Sequence, residues 1–164
     1  MLTAQLLANF DAVLVWSLVA TALMTVIMQG SQGLGLSRLS LPFLFGTFVT
    51  MDRDRAVLLG FLLYTLGGSM FALLYFLVFA SLGFATWWLG ALLGAAHGLF
   101  LLVGLGAAPH LHPRVASEYD PPADEPRLEP PGFLGLNYGR RTPLTTLLGQ
   151  SIYGGVLGAF LPVG

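Results

Sequence analysis

The chain has 164 residues, 55% of them hydrophobic and 9% charged, with a formal net charge of −1. Globular chains are about 25% charged, so a domain surrounded by water is excluded and lipid is the expected main solvent. Cysteine is absent, which excludes disulfides, a thiol nucleophile and thiolate metal ligation.

No Asp, Glu, Lys or Arg occurs in 12–37, 56–113 or 142–164. One crossing needs roughly 20 apolar residues, and these runs hold four. The first predicted helix covers about 12–30, with Asn9 or Asp11 as N-cap; residues 1–11 lack the basic region of a cleavable signal. The second covers about 56–80, announced by Asp52 and Asp54 and closed by Gly83. The third covers about 86–106, capped by Thr86, with Trp87 and Trp88 at headgroup level and Pro109 ending it. The fourth covers about 142–161, where Thr142 followed by Pro143 is a start signal.

Four crossings put 31–55 and 107–141 on one face. Every basic residue, Arg38, Arg53, Arg55, Arg114, Arg127, Arg140 and Arg141, falls on these two segments. The positive-inside rule then places both segments in the cytoplasm and both termini outside. Within the first segment, 39–51 is too short to span and too apolar for water, which predicts an interfacial or re-entrant element. The second carries seven of the ten prolines, with Glu118, Asp120, Asp124, Glu125 and Glu129. It reads as an extended, proline-stiffened strap. No internal repeat is visible. The fold class is therefore all-α: one domain over 1–164, an integral membrane four-helix bundle with N-out/C-out topology.

Small and polar residues mark helix contacts in lipid. Ser17, Thr21, Thr25 and Gln29 form such a stripe on the first helix, and Thr65, Gly68 and Ser69 one on the second. Gly90, Gly94 and Gly98 do so on the third, and Gln150, Gly154 and Gly158 on the fourth. Near mid-helix, Thr21, Ser69, His97, Gln150 and Tyr153 form a candidate midplane polar cluster. An ionisable group at that depth is a functional hypothesis by default. His97 is a proton relay or an axial ligand for a haem or chlorophyll-type pigment on one reading. On the other, favoured one, it is a neutral histidine hydrogen-bonded to Tyr153, Gln150 or a threonine.

His110 and His112 in Pro-His-Leu-His-Pro would point the same way on extended chain, with Glu118 or Asp120 nearby. The ligand set is incomplete and no metal site is assigned. Arg140 and Arg141 before the fourth helix, and Arg53 and Arg55 before the second, read as lipid or partner anchors. Serine-hydrolase, Walker and zinc-protease motifs are missing.

Leu-Pro-Phe-Leu-Phe-Gly-Thr at 41–47, Asp-Arg-Asp-Arg-Ala at 52–56 and Trp-Trp-Leu-Gly-Ala-Leu-Leu-Gly-Ala-Ala-His-Gly at 87–98 form a recognisable pattern. His-Pro-Arg at 112–114 and Glu-Pro-Pro-Gly-Phe-Leu-Gly-Leu-Asn-Tyr-Gly-Arg-Arg-Thr-Pro at 129–143 complete it. The pattern resembles a family of small uncharacterised bacterial four-helix integral membrane proteins over nearly the whole chain, most specifically in its last motif. The resemblance implies the same fold and a cytoplasmic-membrane address, and brings no activity or cofactor. Members often carry a histidine early in the fourth helix where this chain has Gln150, which weighs against a relay between two histidines.

The leading expectation is a non-enzymatic accessory subunit of a larger bacterial inner-membrane complex, respiratory or photosynthetic. The alternatives are a small transporter or channel, and a haem, pigment or quinone binder using His97. The expected partners are the bilayer and other transmembrane subunits. A homo-oligomer stays open, and no nucleic acid is expected.

Overall fold

The computed structural model describes residues 2–117 and 127–163. These residues form α1 (Leu2–Ala8), α2 (Phe10–Gly33), α3 (Leu41–Gly46), α4 (Arg53–Leu82), α5 (Trp87–Leu105), α6 (Ala108–Leu111) and α7 (Thr142–Phe160), with a 3-10 segment at Phe133–Tyr138. Among them, extended backbone pairs only in an isolated bridge between Val115 and Leu128. The fold is all-helical. Three helices, α2, α4 and α5, are long and apolar enough to cross a membrane, with mean hydropathies of 2.0, 2.0 and 1.8; they mark the chain as a membrane protein. The fourth predicted helix forms as α7 but is not among them, because threonines, Gln150, Ser151 and glycines replace much of its apolar surface.

Several helix ends differ from expectation. The chain is helical before residue 12, because the apolar 2–8 segment forms α1 and Asn9 serves its end rather than capping α2. Asn9 Nδ2 donates to the Gln5 carbonyl at 2.9 Å. Asp11 lies in the first turn of α2 instead of at its cap. Asp52 does cap α4: its Oδ1 accepts the Arg55 N–H at 2.9 Å, which satisfies an otherwise orphaned donor. Pro109 does not terminate α5, which ends at Leu105; it sits in the first turn of α6, where no amide donor is required. The expected strap is therefore not extended throughout, since α6 and the 133–138 segment occupy its flanks. Its residues Glu118, Asp120, Pro121, Pro122, Asp124, Glu125 and Pro126 lie outside the described residues.

The chain divides into two compact units. Unit 1 comprises Met1–Ile27, Thr65–Gly98 and Leu147–Gly164; unit 2 comprises Met28–Tyr64 and Leu99–Thr146. Unit 1 holds a single charged residue, Asp11, while all seven arginines belong to unit 2.

In unit 1, α2 buries Val13, Ser17, Ala20, Thr21 and Met24, a stripe at three- and four-residue spacing. Tyr75, Phe76, Phe79, Tyr153 and Leu157 complete the core. Within unit 1 the closest backbone approach joins α5 and α7. A Cβ at Gly90 or Gly94 would overlap the carbonyls of Gly154 or Gln150, and one at Gly158 would overlap the Thr86 carbonyl. The predicted packing residues Gly90, Gly94, Gly154 and Gly158 thus allow two backbones to touch, as small-residue pairs do in lipid. Gly98 is looser, facing the side chains of Leu147 and Gln150. Trp16 stacks on Phe160 with ring centroids 4.2 Å apart and 10° between planes.

In unit 2, 39–51 folds into α3, started by Ser40, whose hydroxyl accepts the Phe43 N–H at 3.4 Å, and by Pro42 in the first turn. Gly46 lies against the Ala56 backbone and Gly60 against that of Pro42, so α3 rests on the start of α4. Leu41 is buried; Phe45, Phe48, Val49 and Met51 are exposed.

Candidate functional site

The expected midplane residues all belong to unit 1, and the structure brings some of them together. The His97 ring lies 4.0 Å from the Phe71 ring, 6.3 Å from Tyr75 and 6.4 Å from Tyr153. Tyr153 is buried, and its hydroxyl donates to the Gly68 carbonyl. Thr21 adjoins the same glycine, where a Cβ on Gly68 would crowd its hydroxyl. Gln150 is buried under Gly94 and Gly98. Ser69 leaves the cluster and shares a 3.0 Å hydrogen bond with Ser17.

No bond of the expected kind is seen at His97 Nδ1, which has no hydrogen-bond partner among the described residues. Tyr153 is engaged at Gly68, and aromatic rings pack against His97. His97 Nδ1, Gln150 Oε1, Thr21 Oγ1, Thr65 Oγ1 and the Tyr75 hydroxyl are buried with no hydrogen-bond partner among the described residues. Buried polar groups usually have partners. A metal-ligating histidine almost always donates its second ring N–H to an acceptor. His97 Nδ1 has no such acceptor among the described residues.

Unit 2 contains a second polar site, which sequence reasoning read differently. His110 is exposed and His112 is 4% exposed, so the two imidazoles do not converge. The helical turn of α6 replaces the extended chain that would have aligned them. His112 Nε2 lies 3.0 Å from the Leu44 carbonyl and 3.3 Å from the Thr47 hydroxyl. Its Nδ1 accepts the Arg114 N–H at 3.1 Å, and Phe48 packs on the ring at 4.0 Å. Arg114 donates to the Thr47 carbonyl and, at 3.4 Å, to that of Val49. The His-Pro-Arg turn thereby supplies donors to carbonyls at and just beyond the C-terminal end of α3, where Leu44 also accepts from the Thr47 hydroxyl at 2.8 Å. Burial holds the His112 imidazole below its usual pKa, the Leu44 hydrogen bond opposes this, and the Arg114 charge adds to the lowering. The sequence signal was the Pro-flanked His-Pro-Arg itself, but nothing local identified 44–49 as its partner.

The motif at 129–143 is also structural in its details. Glu129 receives two hydrogen bonds from Arg38, at 2.9 and 3.1 Å. The Tyr138 hydroxyl donates to the Glu129 carbonyl at 2.7 Å, and Asn137 Nδ2 to that of Pro130 at 3.0 Å. Burial, with Glu129 nearby, pushes the Tyr138 phenol up to about 12, while Arg38 pulls the other way. Leu134 adopts the left-handed region at φ 54°, a strained conformation for a residue with a side chain. The Thr142 hydroxyl does not cap α7 as its position suggested. It meets the Ser37 hydroxyl at 2.8 Å and ties the two long segments together. Arg38, Ser40, Phe43, Leu44, Leu128, Glu129 and Tyr138 line a hollow of about 190 Å³. Arg53, Arg55, Arg140 and Arg141 are all exposed.

No protein-family model, curated protein or solved structure matches the chain.

Proposed function

We propose that the protein is a non-catalytic accessory subunit, a four-helix bundle in a bacterial inner membrane that packs against a larger membrane complex. In this reading 31–55 and 107–141 face the cytoplasm, both termini lie outside, and 39–51 rests in the headgroup layer. The packing of both long segments within unit 2, together with all seven arginines, supports a single basic face. Exposed Phe45, Phe48 and Val49 support the interfacial position of the first segment. Arg53, Arg55, Arg140 and Arg141 then serve as anchors to lipid phosphate.

The observation that carries the reading is a ridge on α4. Leu58, Leu62, Leu66, Met70 and Leu74 stand at four-residue spacing and are exposed. Rows of this spacing are the ridges that fit the grooves of a neighbouring helix. Against transport, α5 and α7 meet backbone to backbone, which leaves no path between them. Because the chain has no cysteine, Leu66→Cys and Met70→Cys each provide a unique attachment point. Native purification of these variants followed by cross-linking is expected to give an adduct with a different transmembrane protein. Consistent migration as a monomer, or as a complex of this chain with itself alone, would overturn the accessory reading.

A further inference from the structure

We propose that His112 is a proton-sensitive latch that holds the C-terminal end of α3 against the 112–114 turn and releases it when the imidazole gains a proton. The hydrogen bonds fix the tautomer. Nδ1 accepts from the Arg114 N–H, so it carries no proton; Nε2 carries the hydrogen and donates to the Leu44 carbonyl, with Thr47 beside it. A second proton can go only to Nδ1. There it faces the Arg114 N–H, and two donors oppose each other where a donor and an acceptor had paired. The ring loses one hydrogen bond and becomes a buried cation.

The charged groups around the ring do not offset that change. On the α3 side, 41–51 contains no acidic or basic residue. On its own turn the charged neighbour is Arg114, a like charge whose guanidinium is engaged with the Thr47 and Val49 carbonyls. His110 is exposed on α6. Proton uptake therefore weakens the contact of Leu44, Thr47 and Phe48 with the turn. The segment it would release carries Phe45, Phe48 and Val49, already exposed on one side. Because the folded-state pKa of His112 lies below its ordinary value, the latch contributes its full stability above about pH 6.5 and loses it as pH falls toward the folded value.

The test is hydrogen exchange by mass spectrometry on the full chain in lipid nanodiscs at pH 7.5 and 5.5, corrected for intrinsic exchange. Protection of amides in 44–50 and of Arg114 is expected to fall by about tenfold at the lower pH, while amides within α5 keep theirs. His110→Gln is expected to retain the full drop. His112→Gln, which cannot titrate, is expected to have lower protection that no longer responds to pH. If that variant does not fold, the nitrogen resonances of His112 in the unmodified protein give the answer. They should report an unprotonated Nδ1 at pH 7.5, with protonation tracking the loss of protection. Unchanged protection at pH 5.5, a drop that persists in His112→Gln, a drop abolished in His110→Gln, or a protonated Nδ1 at pH 7.5 would each overturn the latch.

Discussion

Unit 1 and unit 2 both bring backbones together at glycines, Gly90 and Gly94 in one and Gly46 and Gly60 in the other, but differ in what they add to those contacts. Unit 1 adds ring packing: aromatic side chains lie against His97, and Trp16 stacks on Phe160. Unit 2 relies on hydrogen bonds from side chains to loop backbone, made by Arg38, His112, Arg114, Asn137 and Tyr138. The difference follows from what each must satisfy. Continuous helices close their own backbone hydrogen bonds, so shape decides how they pack in lipid. Short helices and turns leave carbonyls open, and nearby side chains must supply the donors.

This contrast can be broken most forcefully at Gly94. Gly94→Val would drive side-chain atoms into the Gln150 backbone, and a loss of about 3 kcal/mol is expected. Thermal unfolding in detergent, followed by circular dichroism, should show a much lowered midpoint; an unchanged midpoint would mean that α5 and α7 are not in backbone contact. A middle-sized effect belongs to unit 2. Ser37→Ala removes the partner of the buried Thr142 hydroxyl and the acceptor of the Leu39 N–H. Leaving such groups unpaired should cost about 2 kcal/mol, read as a shift in denaturation midpoint, and Ser37→Thr should restore part of it. The smallest effect has the opposite sign. A Cβ at Gly67 would meet no atom within 4 Å, so Gly67→Ala should stabilise α4 by about 0.5 kcal/mol through helix propensity alone. A marked loss there would indicate that unit 1 is crowded where it is drawn open.

The existence of the long helices was legible in the charge-free runs, because exclusion of charge from lipid is a strong, nonlocal-free signal. The small-residue faces were legible too, since Gly90, Gly94, Gly154 and Gly158 recur at helical spacing, but which helix each face meets was not. The helix ends were less legible. Asn9 and Pro109 each had two local roles available: Asn9 bonds back to Gln5 at the end of α1, and Pro109 starts α6. The candidate site was legible as a set of residues rather than as a network. His97, Gln150 and Tyr153 share one unit, but which hydroxyl goes where depends on angstrom-scale competition, and the Gly68 carbonyl took Tyr153. His112 was misread because its partners lie more than sixty residues away in sequence, on α3.

The stack of Trp16 on Phe160 has an optical consequence. All three tryptophans, Trp16, Trp87 and Trp88, belong to unit 1. Trp87 and Trp88 are 67% and 47% exposed, whereas Trp16 lies flat against a ring 4.2 Å away. Indole emission is therefore a signal of one unit only. Its stacked component follows the pairing of α2 with the end of α7, and its exposed component follows the polarity around the start of α5. Events at α2, the start of α5 and the end of α7 can therefore be followed in unit 1 by native fluorescence without any label.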